Sequence, residues 1–199
     1  MEARTMTGTG AAAVDVGTGV SAGKLGIWWF LASEIMVFGG LLAIFILERI
    51  AAGGWEEEAA HVSLGIAAIN TVVLVTSSFT VVQAFAAVQA SDRLRAARYL
   101  LATVLLGSGF LALKALEYSR ELAHGFTPAS GPFWSFYYAL TGLHGLHVLA
   151  GVLVLAGLCV SAFRGRSWEA VKHRVELAGL YWHFVDVVWI FLFPLVYLA

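Results

Sequence analysis

The chain has 199 residues, 60% of them hydrophobic and only 13% charged, with a formal net charge of −1. A soluble domain carries about 25% charged residues, so this is an integral membrane protein, and its length suits one bundle rather than several domains. A balanced charge with no basic stripe excludes a nucleic-acid partner. The single cysteine, Cys159, excludes an intrachain disulfide and a cysteine-based metal site, and in its apolar run it reads as a small buried hydrophobe.

Residues 1–23 are rich in Gly, Ala and Thr and lack the basic start and apolar core of a signal peptide. They are expected to form a flexible cytoplasmic tail ahead of one transmembrane domain at 24–199. Five spans are predicted, at about 25–47, 62–88, 99–118, 134–162 and 176–198, which makes the fold an all-α membrane bundle. In the first span, Trp28 and Trp29 lie near the start, where interfacial aromatics sit. Glu34 lies about two helical turns inside, and a carboxylate at such depth must be neutral, paired or near water. It reads either as a hydrogen bond to a neighbouring helix or as a proton-exchanging site. Gly39, Gly40 and Ala43 put small residues near one face, which allows close helix approach.

Glu56, Glu57 and Glu58 precede the second span in a loop, where negative charge suits a helix start; a docking patch for a cationic electron carrier is the alternative. The second span carries Asn70, Thr71, Thr76, Ser77, Ser78, Thr80 and Gln83. Hydroxyls can return their hydrogen bonds to the helix backbone, and this face is expected to pack on other protein. In the third span Gly107, Ser108 and Gly109 make a slim waist. Lys114 and Glu117 are spaced for a local ion pair, with Lys114 also able to snorkel towards headgroups.

Pro128, Gly131 and Pro132 break the chain before the fourth span, which opens on the aromatic cluster FWSFYY. His144 and His147 follow on one face. Histidine is the commonest metal ligand, but this pair has no HExxH pattern and no acidic companion on its helix. Two axial haem ligands come from opposite sides rather than from one turn, so satisfied structural histidines at a helix contact are the stronger reading. Gly142, Gly145 and Gly151 support close packing around them. The last stretch, ELAGLYWHFVDVVWIFLFPLVYL at 176–198, holds Glu176, His183 and Asp186, the last two on one helix face. A polar clasp between helices is the plain reading and a proton or ligand pathway the alternative. Pro194 is expected to kink the final turns.

Basic residues set the orientation. Arg4, Lys24, Arg93, Arg95, Arg98, Arg164, Arg166, Lys172 and Arg174 fall on one side, against Arg49, Arg120 and Lys114 on or near the other. The N-terminus is therefore expected in the cytoplasm and the C-terminus outside, with Glu34 towards the cytoplasmic side.

Three blocks, LASEIMVFGG at 31–40, TGLHGLHVLAG at 141–151 and YWHFVDVVWIFLFPLVYL at 181–198, resemble subunit III of the haem-copper terminal oxidases. SSFTVVQAF at 77–85 and LEYSREL at 116–122 resemble it more weakly. The resemblance implies a short five-helix form, multi-pass in a bacterial cell (inner) membrane. It implies no haem or copper in this chain, both being held by the partner catalytic subunit I. The chain would pack on that subunit, and through it on subunit II, bind structural phospholipids and support proton uptake; membership of a respiratory supercomplex is compatible with this. The family's carbodiimide-reactive carboxylate matches Glu34, and its paired histidines match His144 and His147. Its last-helix motif matches Trp182, His183, Phe184, Asp186 and Trp189, and its Glu-Tyr pair matches Glu117 and Tyr118. Trp28, Trp29, Trp182, Trp189, Gly142 and Gly145 are then expected lipid and packing positions. One departure is the segment before the last helix, reduced here to Lys172, His173 and Arg174.

The implied function is a non-catalytic core subunit of a proton-pumping oxidase that reduces oxygen to water with electrons from cytochrome c or quinol. The chain itself would perform no redox step. The accessory membrane protein of nitric oxide reductase systems shares these motifs and is the near rival. A small proton-coupled transporter using Glu34, His183 and Asp186 would show inverted repeats and broken helices, and the sequence has neither. A di-haem cytochrome using His144, His147 and His183 is the third alternative.

Overall fold

A computed structural model describes residues 22–164 and 168–198. The expected tail up to residue 21, and with it Arg4, lies outside the described residues, as does Arg166. The helices are α1 (Ala22–Ala52), α2 (Glu56–Ala59), α3 (Leu64–Gln89), α4 (Arg93–Ala123), α5 (Pro132–Phe163) and α6 (Trp168–Tyr197). All except α2 are long and apolar enough to cross a membrane. The acidic run expected in a loop forms the first turn of α2.

Helices α1, α4 and α6 run past their predicted spans, because hydropathy falls at the membrane surface while the backbone stays helical until something caps it. Helix α4 begins at Arg93, where the Asp92 side chain accepts a hydrogen bond from Arg95 N at 2.9 Å. Helix α6 begins at Trp168 with polar residues that the apolar window rejects, and Lys172 pairs there with Glu169 at 3.2 Å. Helix α5 starts where predicted, with Pro132 in its first turn after Gly131 at φ +148°. Helix α6 continues through Pro194 to Tyr197.

Helices α3, α4, α5 and α6 form a closed ring in which each touches the next and α6 returns to α3. Helix α1 packs more thinly outside the ring, on α5 and α6, and buries only Leu31, Phe38 and Phe45. Trp28 and Trp29 point outward, 58% and 72% exposed. Successive spans alternate in direction. One end of the bundle, the near end, holds Ala22, Gln89, Arg93, Phe163 and Trp168; the far end holds Ala52, Leu64, Ala123, Pro132 and Tyr197. At the far end Phe45 of α1 meets Trp55 and Phe136, with ring centroids 5.2 and 5.8 Å away.

The ring closes on Trp182. This fully buried indole lies between two glycines: a Cβ on Gly107 of α4 would sit 2.7 Å from its Cη2, and one on Gly151 of α5 would sit 2.7 Å from its Cε3. Its Nε1 donates to Ser77 Oγ of α3 at 3.0 Å. The close approaches within the ring are therefore made by Gly107 and Gly151, and Gly23 of α1 makes another against the His173 side chain of α6, at 2.8 Å from a Cβ to Nε2. Gly39, Gly40 and Gly145 have open space where a Cβ would go, and Gly142 meets only the Tyr118 hydroxyl at 3.6 Å.

Gly151→Ala should push the Trp182 indole out of its slot and destabilise the bundle by about 1–3 kcal/mol. Gly40→Ala, with nothing beside it, should be neutral. Thermal unfolding in detergent checks both, and equal melting temperatures for the two variants would contradict the slot.

Candidate functional site

Polar side chains inside the bundle fall into three groups. The first joins α1 to α5. Glu34 Oε2 lies 3.0 Å from His147 Nε2, and the two side chains are 16% and 14% exposed. His147 Nδ1 lies 2.8 Å from the Leu143 carbonyl, which can only accept, so Nδ1 carries a hydrogen. One proton is then left for the Nε2–Oε2 contact. It sits on the carboxyl group or on the imidazole, and the pair is neutral overall either way. Tyr181 of α6 donates to the His147 carbonyl at 2.9 Å, and Phe38 packs edge-on against the imidazole at 5.2 Å. This geometry can take up, hold or release one proton at a seam that is only partly covered. A second contact ties α1 down at the near end, where Lys24 Nζ reaches Glu176 Oε1 at 2.6 Å.

The second group is the α3–α6 seam. The hydroxyl face of α3 packs within the chain, on α4 and α6. Thr71 and Ser77 return their own protons to Ala67 and Leu74 carbonyls and accept from Trp189 Nε1 and Trp182 Nε1, each at 3.0 Å. Trp182 and Trp189 are thus buried joints rather than lipid-facing aromatics. Thr80 meets Thr103 of α4 at 2.8 Å. Ser78 Oγ lies 2.7 Å from His183 Nδ1. Asp186 shares that seam beside the Ser78 hydroxyl, although neither of its oxygens makes a hydrogen bond of good geometry.

The third group is a closed network near the far end. Lys114, expected to reach towards headgroups, is instead buried at 4% exposure and paired with Glu117 at 3.2 Å. Its Nζ also donates to Tyr137 Oη at 3.1 Å and to Tyr197 Oη. Both tyrosines in turn donate to Glu117 Oε1 at 2.8 Å. Every Lys114 donor is used, and the carboxylate is met on both oxygens. Beside it, Thr141 gives its proton to the Tyr137 carbonyl at 2.5 Å, so the 2.6 Å contact with Tyr118 is donated by the Tyr118 hydroxyl. Lipid supplies no hydrogen bonds, so a charge pair at this depth needs partners from protein.

The two histidines of the HxxH pair thus face different surroundings. His147 meets α1, whereas His144 is fully buried inside the ring and both of its nitrogens lack a partner, contrary to the expectation of a satisfied histidine. Among the described residues no cluster of three or more His, Cys, Asp or Glu side chains could hold a metal ion. Sequence reasoning did not assign Tyr137, Thr141 or Tyr197. The signal that could have found them is the demand of Lys114 and Glu117 for more donors and acceptors than one ion pair supplies.

Comparison with known proteins adds a family. A sequence model described as "Cytochrome c oxidase subunit III" matches residues 2–199. A relative named "Cytochrome c oxidase subunit 3" from Thermostichus vulcanus is 37% identical over 175 residues, covering 87% of this chain and 86% of the relative. One of the same name from Corynebacterium diphtheriae is 36% identical over 171 residues, 84% and 83% of the two chains. A "Quinol oxidase subunit 3" from Bacillus subtilis is 34% identical over 176 residues, 87% and 85% of the two chains.

Lys114→Met leaves the Glu117 carboxylate buried without its cation and should cost about 3–5 kcal/mol. The double change Lys114→Met, Glu117→Leu should recover most of that loss in thermal unfolding of the detergent-solubilised protein. A double variant as unstable as the sum of the two singles would mean that the pair is not coupled.

Proposed function

We propose that this chain, which belongs to the cytochrome c oxidase subunit III family, is the non-catalytic third subunit of a bacterial haem-copper terminal oxidase. In this reading it packs on catalytic subunit I and through it on subunit II. Those partners hold the haem and copper, while this chain performs no electron transfer. The N-terminus faces the cytoplasm, as the basic residues at the near end favour: Lys24, Arg93, Arg95, Arg98, Lys172 and Arg174 all lie there.

The observation that carries the reading, beyond the family match, is the Glu34–His147 pair. It holds one exchangeable proton on the seam of the most weakly attached helix, and both side chains retain some exposure. A partner subunit or a hydrated cleft can therefore reach it. Its work is to let one proton sit on the carboxyl group or the imidazole with the pair neutral; when that proton leaves for a partner subunit or a hydrated cleft, the pair carries one negative charge, which the partial exposure of both side chains lets that neighbour compensate. Glu34 is the proton-exchanging group, and His147, oriented by Leu143 and Tyr181, is its positioning residue.

Lipid binding is the second part of the reading. Ile27 and Phe30 of α1 with Val154, Leu177 and Tyr181 wall an apolar groove of about 690 Å³, and Arg174 lies among its lining residues. Arg174 sits in the near-end part of α6. Apolar walls with a guanidinium at the membrane surface suit the acyl chain and phosphate of an anionic phospholipid.

Mild-detergent purification through a tag on this chain should bring down a haem- and copper-containing partner with oxygen-reducing activity, tested with both cytochrome c and quinol. A lone colourless protein under conditions that keep other membrane complexes intact would count against the assignment. In the purified complex, Glu34→Gln should leave the initial rate of oxygen reduction largely intact and shorten the active lifetime during turnover. An unchanged lifetime would remove Glu34 from the proton role.

A further inference from the structure

Helix α6 turns one polar side chain outward in the middle of its span. Leu180, His183, Val187 and Ile190 recur at steps of three and four residues and so share one face, on which Val187 and Ile190 are 48% and 53% exposed. His183 stands at the centre of the 27-residue membrane span Val171–Tyr197. Its Nδ1 is taken by Ser78 Oγ at 2.7 Å, whereas its Nε2 makes no hydrogen bond among the described residues and lies open to the surface of the bundle. Ser78 also lies beside Asp186. If the hydroxyl gives its proton to Nδ1, Nε2 carries a hydrogen and faces out as a donor. If the hydroxyl turns to Asp186, Nδ1 donates to Ser78 and Nε2 faces out as an acceptor. In either tautomer one hydrogen bond remains to be made outside the bundle, at a depth where lipid tails offer neither donor nor acceptor.

The surface beside His183 is hollowed. Val81, Val82 and Phe85 of α3 with Gly179, Leu180 and His183 of α6 wall a groove of about 210 Å³. A Cβ on Gly179, one turn before His183, would meet nothing. Small-molecule sites run to about 300–1,000 Å³, so this groove has room for one large side chain rather than for a bound molecule. An acyl chain suits its apolar walls but leaves Nε2 unpaired. A second apolar groove, of about 260 Å³ and lined by Phe38, Gly39 and Phe191, separates α6 from α1. The outward face of α6 is therefore a ridge between two grooves, the relief on which another helix packs.

We infer that the α3–α6 face is where a transmembrane helix of the catalytic subunit docks, with one of its side chains filling the groove over Gly179 and hydrogen-bonding His183 Nε2. The side chain this requires has an apolar stem and a polar tip. His183 then ties α3 on the inside, through Ser78, to the partner on the outside, as polar side chains do between membrane helices. The inference rests on the reading of this chain as an oxidase subunit and adds which face meets the rest of the complex.

Photocrosslinking in native membranes tests this, with benzoylphenylalanine placed at Val82, 47% exposed at the groove, or at Leu105 of α4, 63% exposed on the helix diagonal to α6. Adducts mapped by mass spectrometry should join Val82 to a transmembrane helix of the catalytic subunit in severalfold higher yield than Leu105. A yield at Val82 no higher than at Leu105, in a complex that still co-purifies with its haem-copper partner, would overturn the docking face and leave the proposed function standing. Absence of any haem-copper partner would overturn both. Two substitutions isolate the outward nitrogen, because an asparagine amide falls near Nδ1 and a glutamine amide near Nε2. His183→Asn should release the partner in detergent severalfold more readily than wild type, and His183→Gln should retain it. Equal retention, or the reverse order, would make His183 an internal joint and remove it as the anchor.

Discussion

Trp182 touches all four helices of the ring and does so at their closest approach. It belongs to α6, lies in a slot that Gly107 of α4 and Gly151 of α5 leave open, and gives its N–H to Ser77 of α3. In lipid there is little hydrophobic drive between helices, so close van der Waals packing and interhelical hydrogen bonds must hold them. One indole supplies both: a large flat surface for the glycine backbones and a donor that must find an acceptor once buried. Depth and rotation of α6 are fixed by this insertion. That rotation sets His183 against Ser78, turns Trp189 towards Thr71 and brings Tyr197 over Lys114.

Helix α1 obeys a different rule. It has no such slot, buries three large apolar side chains, and is held by the Glu34–His147 contact at mid-helix, the Lys24–Glu176 ion pair at the near end and the aromatic cluster around Phe45 at the far end. The Lys24–Glu176 pair is more than 30% exposed on both sides and contributes little. A helix fastened this lightly can shift against the ring at small cost. The Glu34 carboxyl is thus carried by the most thinly packed span, while its imidazole partner is held by α5 and α6.

Span number and fold class were legible in hydropathy, because five long apolar runs leave no other arrangement in a bilayer. The Lys114–Glu117 pair was legible because it is local, three residues apart on one helix. The motifs around Glu34, the histidine pair and the last helix marked the right helices. What stayed hidden were contacts fixed by helix rotation. Glu34 and His147 are 113 residues apart, and Ser78 and His183 are 105 apart. The helices here are apolar on nearly all sides, so their periodicity does not announce which face turns inward. For the same reason Gly145 read like Gly107 and Gly151, although only the latter two face an indole. Lys114 read as a snorkelling cation because its tyrosine acceptors come from α5 and α6, beyond the reach of any local pattern.

The buried polar groups are sorted by how completely they are satisfied, and that order separates structural work from exchange. At the far end Lys114, Glu117, Tyr137 and Tyr197 form a closed cycle; moving a proton out of it would leave a buried charge or an orphaned donor. Such a cycle is suited to holding helix ends and ill suited to proton traffic. The Glu34–His147 pair differs in two respects: a single contact whose one proton can sit on either partner with the pair neutral, and partial exposure on the side of α1, where a charge left by its loss can be met from outside. The closed cycle braces the ring at the far end, and the Glu34–His147 contact lies apart from it on the thinly packed α1.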